Sequence, residues 1–185
     1  MTDFDKNTWR TPKYFVKWVQ MRWHCTIDGA AFLSNKVCGH WIGKLLDGED
    51  SCTHLADDFL AEDLPAFLSN WGYGQHSIFV NPPYSDVTPF IQQAKRLRDA
   101  GHLVVMLLNN DKSTQWYQNH IHNVANEVID ILGGRIAFIH PITGEEIKGN
   151  SKGQMVVVFD PTMEDFVQRS VSLDFIKKVG GYEKG

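Results

Sequence analysis

The chain lacks several features that would have set its class at once. Its apolar runs, such as Leu103–Leu108 and Met155–Phe159, fall far short of the roughly 20 residues that cross a bilayer. The opening residues contain no apolar leader core, so a cytoplasmic protein with no membrane association is expected. Cys25, Cys38 and Cys52 are odd in number and form no C-x-x-C pair, which argues against a disulfide framework or a zinc site and for reduced thiols. His120 and His122 stand at i and i+2, off a common helix face, so no metal is expected either. There is no excess of positive charge. Lysine and arginine number 18 against 22 acids, a net charge of −4, which is not the basic footprint usual for nucleic-acid binding. The imbalance is local, however. Residues 44–63 hold Lys44 against seven acids, and the rest of the chain is net positive, with Lys6, Arg10, Lys13, Lys17 and Arg22 near the start. A basic face is therefore permitted. No internal repeat or low-complexity tract is present.

What is present is material for one core and one unusual turn. At 185 residues and 43 % hydrophobic, the chain builds a single domain. Ser77-Ile78-Phe79-Val80 is short, β-branched and aromatic, the pattern of a buried strand. Asn81-Pro82-Pro83-Tyr84 ends it, because proline has no N–H and a fixed φ. The stiff turn presents the Asn81 amide, the Pro82 carbonyl and the Tyr84 ring at a strand's carboxyl end, where ligands bind in open α/β sheets. This trio suits transfer to a planar exocyclic amine, a poor nucleophile whose lone pair is delocalised into its ring. The Asn81 side-chain oxygen and the Pro82 carbonyl can accept its two hydrogens and favour a pyramidal, nucleophilic nitrogen. Tyr84 can stack on the ring. The plainer alternative is a strand-ending turn with two prolines.

Thr11-Pro12 reads as a helix start, Thr as N-cap and Pro at N1, leading into Tyr14, Phe15, Trp18 and Val19 at helical spacing. His24–Ile27 reads as a short strand. Asp28-Gly29-Ala30-Ala31 is the small-residue turn after it, where backbone can approach a ligand closely. Residues 35–63 are acidic and show no clear period. A carboxylate there, Asp57 or Asp58, either serves a ribose-type contact after a second strand or belongs to a solvated loop. A helix and turn over Leu64–Gly74 precede the central strand. Ser85-Asp86 resembles an N-cap for a helix through Val87, Phe90, Ile91, Ala94 and Leu97. His102–Leu108 is a strand apolar on both faces, and Ser113–Tyr117 opens a short helix. Strands are expected at Glu127–Leu132, Arg135–His140 and Met155–Phe159, a polar loop at 141–153, and a helix over Thr162–Val179. Alternating helices and strands predict one α/β layer with a mostly parallel sheet.

Asn81-Pro82-Pro83-Tyr84 is the catalytic motif of amino-methyltransferases, and the chain resembles the phage-type DNA N6-adenine methyltransferase (Dam) family. The matching pieces fall in order: Trp9-Arg10-Thr11-Pro12, Asp28-Gly29-Ala30-Ala31, Asn35, then Asp57, Asp58 and Leu60. After the motif come Ser85, Asp111-Lys112-Ser113-Thr114-Gln115-Trp116, Gly134-Arg135-Ile136-Ala137-Phe138 and Asn150-Ser151-Lys152-Gly153. The similarity runs from about Trp9 to Phe159. It implies the Rossmann-like fold of methyltransferases dependent on S-adenosylmethionine (SAM), with a mostly parallel seven-stranded sheet and an antiparallel edge strand. It implies SAM bound by Trp9, Thr11, Pro12, Asp28, Gly29, Ala30, Asp58 and Asn81, with Asp28 facing the methionine amino group. Asn81, Pro82, Pro83 and Tyr84 would act on an adenine flipped from DNA, with Tyr84, Ser85, Arg135, Lys148 and Lys152 contacting the nucleic acid. Gly29 departs from the side-chain-bearing residue expected in its loop.

About 50 residues separate the cofactor loop from Asn81, which leaves little room for a target-recognition domain between them, and none is expected. Recognition then falls to loops at about 36–56 and 141–153. The resemblance places the protein in the cytoplasm of a bacterial host, phage- or prophage-encoded. Other readings stay open at this point: methylation of RNA adenine or protein glutamine, or a non-catalytic relative that binds DNA or a host protein.

Overall fold

The computed structural model describes residues 8–49, 51–147 and 149–183. Its element order is α1 (Lys13–Trp23), β1 (Ile27–Asp28), β2 (His40–Ile42), β3 (His54–Ala56), α2 (Leu64–Asn70), β4 (Ser77–Val80) and α3 (Thr88–Asp99). Then follow β5 (Leu103–Asn109), α4 (Gln115–His120), β6 (Glu127–Leu132), β7 (Gln154–Phe159), β8 (Val167–Ser172) and α5 (Leu173–Val179). One sheet contains all eight strands in the order β3-β2-β1-β4-β5-β7-β6-β8. Strands β1 to β5 pair in parallel. Strand β7 runs antiparallel to β5 and β6, and β8 is parallel to β6.

The α/β class and mostly parallel sheet match the sequence expectation. The strand count and the position of the antiparallel strand do not: β7 lies inside the sheet, and both edge strands run parallel to their neighbours. The eighth strand arises where a helix was expected. Val167–Ser172 pairs along the whole of β6, from Glu127↔Val167 to Leu132↔Ser172, and only Leu173–Val179 is helical. Without β8 the β6 edge would leave its backbone groups unpaired, and Arg169 closes the pairing with a 2.7 Å contact to the buried Glu127 carboxylate. Arg22 reaches the same carboxylate at 2.8 Å from α1. The strand expected at Arg135–His140 is likewise absent. That stretch makes isolated bridges, Arg10↔Ile139 and Ile139↔Glu146, because it crosses over the N-terminal segment rather than joining the sheet.

Alternating side chains divide the core into two layers. Ile78, Val80, Val104, Met106 and Leu108 pack under α3 with Ile91 and Leu97. Phe79, Val105 and Leu107 face Phe15, Trp18 and Ile176 of α1 and α5. Burial at about 1.5–3 kcal/mol per large apolar side chain holds helices on both faces. The α1 aromatics therefore pack beside the sheet as expected. Two local starts differ: α1 begins at Lys13 with Pro12 at its cap and α3 at Thr88 after Val87, neither with a side-chain cap. Thr11 and Ser85 are thus not the expected caps. The first strand is also shorter than expected, since His24 adopts a left-handed turn (φ 49°) that closes α1.

Candidate active site

Between β1 and β4 the strand order reverses, opening a crevice at the carboxyl ends of these strands. Parallel register puts Asp28 beside Phe79 and Val80 beside Met106. Asp28 and Asn81 therefore stand on the two sides of the switch point, and Asn109 ends the next strand. The prolines stop β4 as its sequence requires.

The Asn81 amide nitrogen donates to Thr11 Oγ1 at 3.1 Å. The Thr11 hydroxyl thus orients the motif's amide instead of capping a helix. The Asn81 side-chain oxygen is buried and has no hydrogen-bond partner among the described residues. An acceptor left so typically costs about 1–3 kcal/mol, a penalty that a ligand N–H relieves. The Tyr84 hydroxyl donates weakly to the Leu107 carbonyl at 3.5 Å, and its ring meets Phe138 edge-on at 6.2 Å. Phe138 in turn packs on Trp9 at 6.0 Å. Burial pushes the Tyr84 phenol well above its ordinary pKa, so it stays neutral.

Asp28 is only 5 % exposed. Burial raises its carboxyl pKa to about 6, against the opposing effect of N–H bonds from Val37 (3.0 Å) and Ala30 (3.3 Å). Its surroundings include the buried thiols of Cys25 and Cys38, themselves pushed up, Cys25 to about 12. A carboxylate of this kind is short of a cation.

Three cavities adjoin in series beside the switch point, the first sharing lining residues with each of the other two. A small one of about 50 Å³ gathers Trp9, Thr11, Asp28, Ala30, Asn81, Pro82 and Tyr84, together with Arg10. A second, about 320 Å³, joins it at Ala30 and Asn81 and is lined by Gly29, Asp58, Pro83 and the Phe59 and Phe90 rings, which stack at 5.6 Å. A third, about 210 Å³, shares Trp9, Tyr84 and Phe138 with the first and is closed by Asn109 and residues 149–152.

The remaining expected residues are placed variously. Pro12 lines a separate cavity with Tyr14 and Tyr182, away from Asn81. Asp57 and Asp58 follow β3, not the second strand; Asp57 contacts His54 at 3.3 Å and Asp58 accepts the Leu60 N–H at 2.8 Å. Gly29 has a packing reason: a Cβ there would meet Phe59 and Val80 at 2.9 Å. The tighter requirement lies at Gly43, where a Cβ would sit 1.9 Å from the Ala31 carbonyl oxygen, fixing the loop after β1 against β2. Arg135 is exposed and donates to the Asn150 carbonyl at 3.0 Å, holding the 149–152 loop. Lys152 borders the third cavity 3.7 Å from Asp111. Ser85 is exposed and lines none of the three cavities, and Lys148 lies outside the described residues. Sequence reasoning missed Arg10, Phe59 and Asn109 as lining residues. Among the described residues no cluster of three or more His, Cys, Asp or Glu side chains is set to hold a metal, and no helix is long and apolar enough to cross a membrane.

An eight-stranded α/β sheet with an Asn-Pro-Pro-Tyr turn at its switch point defines an amino-methyltransferase of the SAM-dependent fold. The chain belongs to the DNA N-6-adenine-methyltransferase (Dam) family, whose description matches residues 1–181. It is similar to the DNA N-6-adenine-methyltransferase of Haemophilus phage HP1, 38 % identical over 158 residues, covering 85 % of this chain and 80 % of that one. It is also 28 % identical over 183 residues to the enzyme of the same name in Escherichia phage T1, covering 91 % of this chain and 68 % of that one. The protein is thus an adenine-specific DNA methyltransferase of phage type, using a methyl donor of the SAM kind.

Proposed function

We propose that the two cavities on the β1 side, both lined by Asn81, hold S-adenosylmethionine, and that the third receives an adenine flipped out of duplex DNA, whose amine reaches Asn81 and Pro82 past the shared wall of Trp9 and Tyr84. The observation that carries this reading is the buried Asn81 oxygen without a donor, in the same small cavity as the buried Asp28 carboxylate. The residues fit the cofactor: Asp28 offers a partner for an ammonium, and the 320 Å³ cavity offers the Phe59 and Phe90 rings and Asp58 to an adenosine. The bound cofactor supplies an electrophilic methyl group.

Everything else falls to side chains and backbone. The Asn81 oxygen and the Pro82 carbonyl accept the two hydrogens of the N6 amine, which concentrates the lone pair on nitrogen. Tyr84, braced by Phe138, stacks on the base and holds it in line, so approximation and fixed dipoles lower the barrier. Flipping is required because N6 lies within the stacked pair. The chain acts as one domain, with recognition by loops near 36–56 and 141–153, in the cytoplasm of the bacterial host where the DNA is found.

The test is tritium transfer from labelled SAM to duplex DNA, RNA and protein, followed by mass analysis of nucleosides. N6-methyladenine from DNA is expected. N4-methylcytosine, or label only in RNA or protein, would refute the reading, and absence of all transfer would favour a non-catalytic DNA-binding role.

A further inference from the structure

Arg10 is the unexplained charge in this site. It occupies the interior position of Trp9-Arg10-Thr11-Pro12, and its backbone is fixed by a two-way bridge to Ile139, with N–H···O distances of 2.9 Å in each direction. Arg10 lines the same small cavity as Asp28 and Asn81. Its Nε is buried and finds no acceptor, and no carboxylate lies within ion-pairing distance of its guanidinium among the described residues. Guanidinium is a permanent cation with donors arranged to grip a carboxylate, and burying part of it unpaired is unfavourable. Asp28 lines that cavity with the opposite deficit, a buried anion held only by backbone N–H groups. One cavity therefore presents an unpaired cation and an unpaired anion that do not pair with each other.

A ligand carrying both charges on one carbon, an α-amino acid zwitterion, answers both. We infer that Arg10 binds the α-carboxylate of the methyl donor's methionine moiety while Asp28 binds its ammonium. The inference rests on the assignment of SAM to these cavities and deepens it: specificity for an amino-acid-bearing donor resides in this pair. A rival use of Arg10, gripping a DNA phosphate, is disfavoured because Arg10 lines the small cavity it shares with the buried Asp28 carboxylate.

The experiment compares SAM with its decarboxylated analogue, which keeps the sulfonium, adenosine and ammonium and lacks only the carboxylate. Both are titrated by calorimetry into wild type, Arg10→Gln and Asp28→Asn, with thermal unfolding as a check on folding. Wild type should bind SAM more tightly than the analogue. Loss of a charge-assisted hydrogen bond corresponds to roughly 10- to 150-fold. Arg10→Gln should lose that factor on SAM and almost nothing on the analogue, while Asp28→Asn should weaken both. Arg10→Lys should recover part of the loss. Equal loss on both ligands, unchanged SAM affinity, or weakened DNA binding with SAM affinity intact would each overturn the assignment. Should wild type bind neither ligand, the cofactor assignment itself fails and takes this inference with it.

Discussion

The proposed contact between Asp28 and the donor's ammonium makes the affinity for the methyl donor depend on pH in a calculable way. The free Asp28 carboxyl titrates near pH 6, raised by burial, and an ammonium partner requires the ionised form. Below pH 6 an increasing share of molecules must lose a proton before binding, so SAM affinity should fall about tenfold per pH unit, reaching roughly a tenfold loss at pH 5. Above about pH 8 the ligand's own amino group deprotonates and the affinity should fall again. Calorimetry between pH 5 and 8.5, in buffers of differing ionisation enthalpy, would show proton release on binding near pH 6. Asp28→Asn should bind more weakly at pH 7.5 and lose the acid limb. The sign of the stability effect is opposite. A carboxyl whose folded pKa lies above its unfolded one binds more protons when folded, so the ligand-free protein loses stability as pH rises from about 4 to 6. Asp28→Asn should therefore be the more stable protein at neutral pH, by on the order of 1–2 kcal/mol. An acid limb that survives in Asp28→Asn, or a wild-type affinity flat from pH 5 to 7, would refute this account of the site.

Two further substitutions separate the remaining roles. Asn81→Ala should lower turnover at saturating SAM by on the order of 10²–10³ while changing SAM affinity little, as single-turnover tritium transfer and calorimetry would show. Tyr84→Ala should weaken use of duplex DNA by about 1–3 kcal/mol of lost stacking, whereas Tyr84→Phe should keep most activity because its hydroxyl makes only one long bond to Leu107; equal rates for the Ala variant and wild type would remove the ring from the mechanism.

The central part of this fold was legible because its signals are local and steric. Two prolines after Ile78-Phe79-Val80 leave few alternatives to a strand that stops, and β5 announces itself by being apolar on both faces. Other signals were ambiguous for physical reasons. Thr11-Pro12 has the same composition whether the hydroxyl caps a helix or reaches an amide 70 residues away, and only the fold decides. β8 is a polar edge strand with half-buried Val167 and Val171, so neither helical nor strand periodicity marks it. Gly29 and Gly43 look alike in sequence, yet one makes room for Phe59 and the other for a neighbouring carbonyl. Arg10 showed in the sequence only as a basic residue within the Trp9-Arg10-Thr11-Pro12 pattern, because its role depends on lacking a partner, which no sequence displays.

The bridge between Arg10 and Ile139 has a thermodynamic consequence. Residues 9–11 form a wall of the small cavity proposed for the donor, and Trp9, packed on Phe138, is also a wall of the cavity proposed for the target base. A partition common to two compartments cannot be ordered by one occupant without changing what the other pays to enter. Whatever factor the donor imparts to DNA affinity through this partition, DNA must return to the donor in equal measure, so either order of assembly reaches the same ternary complex with the same cooperativity.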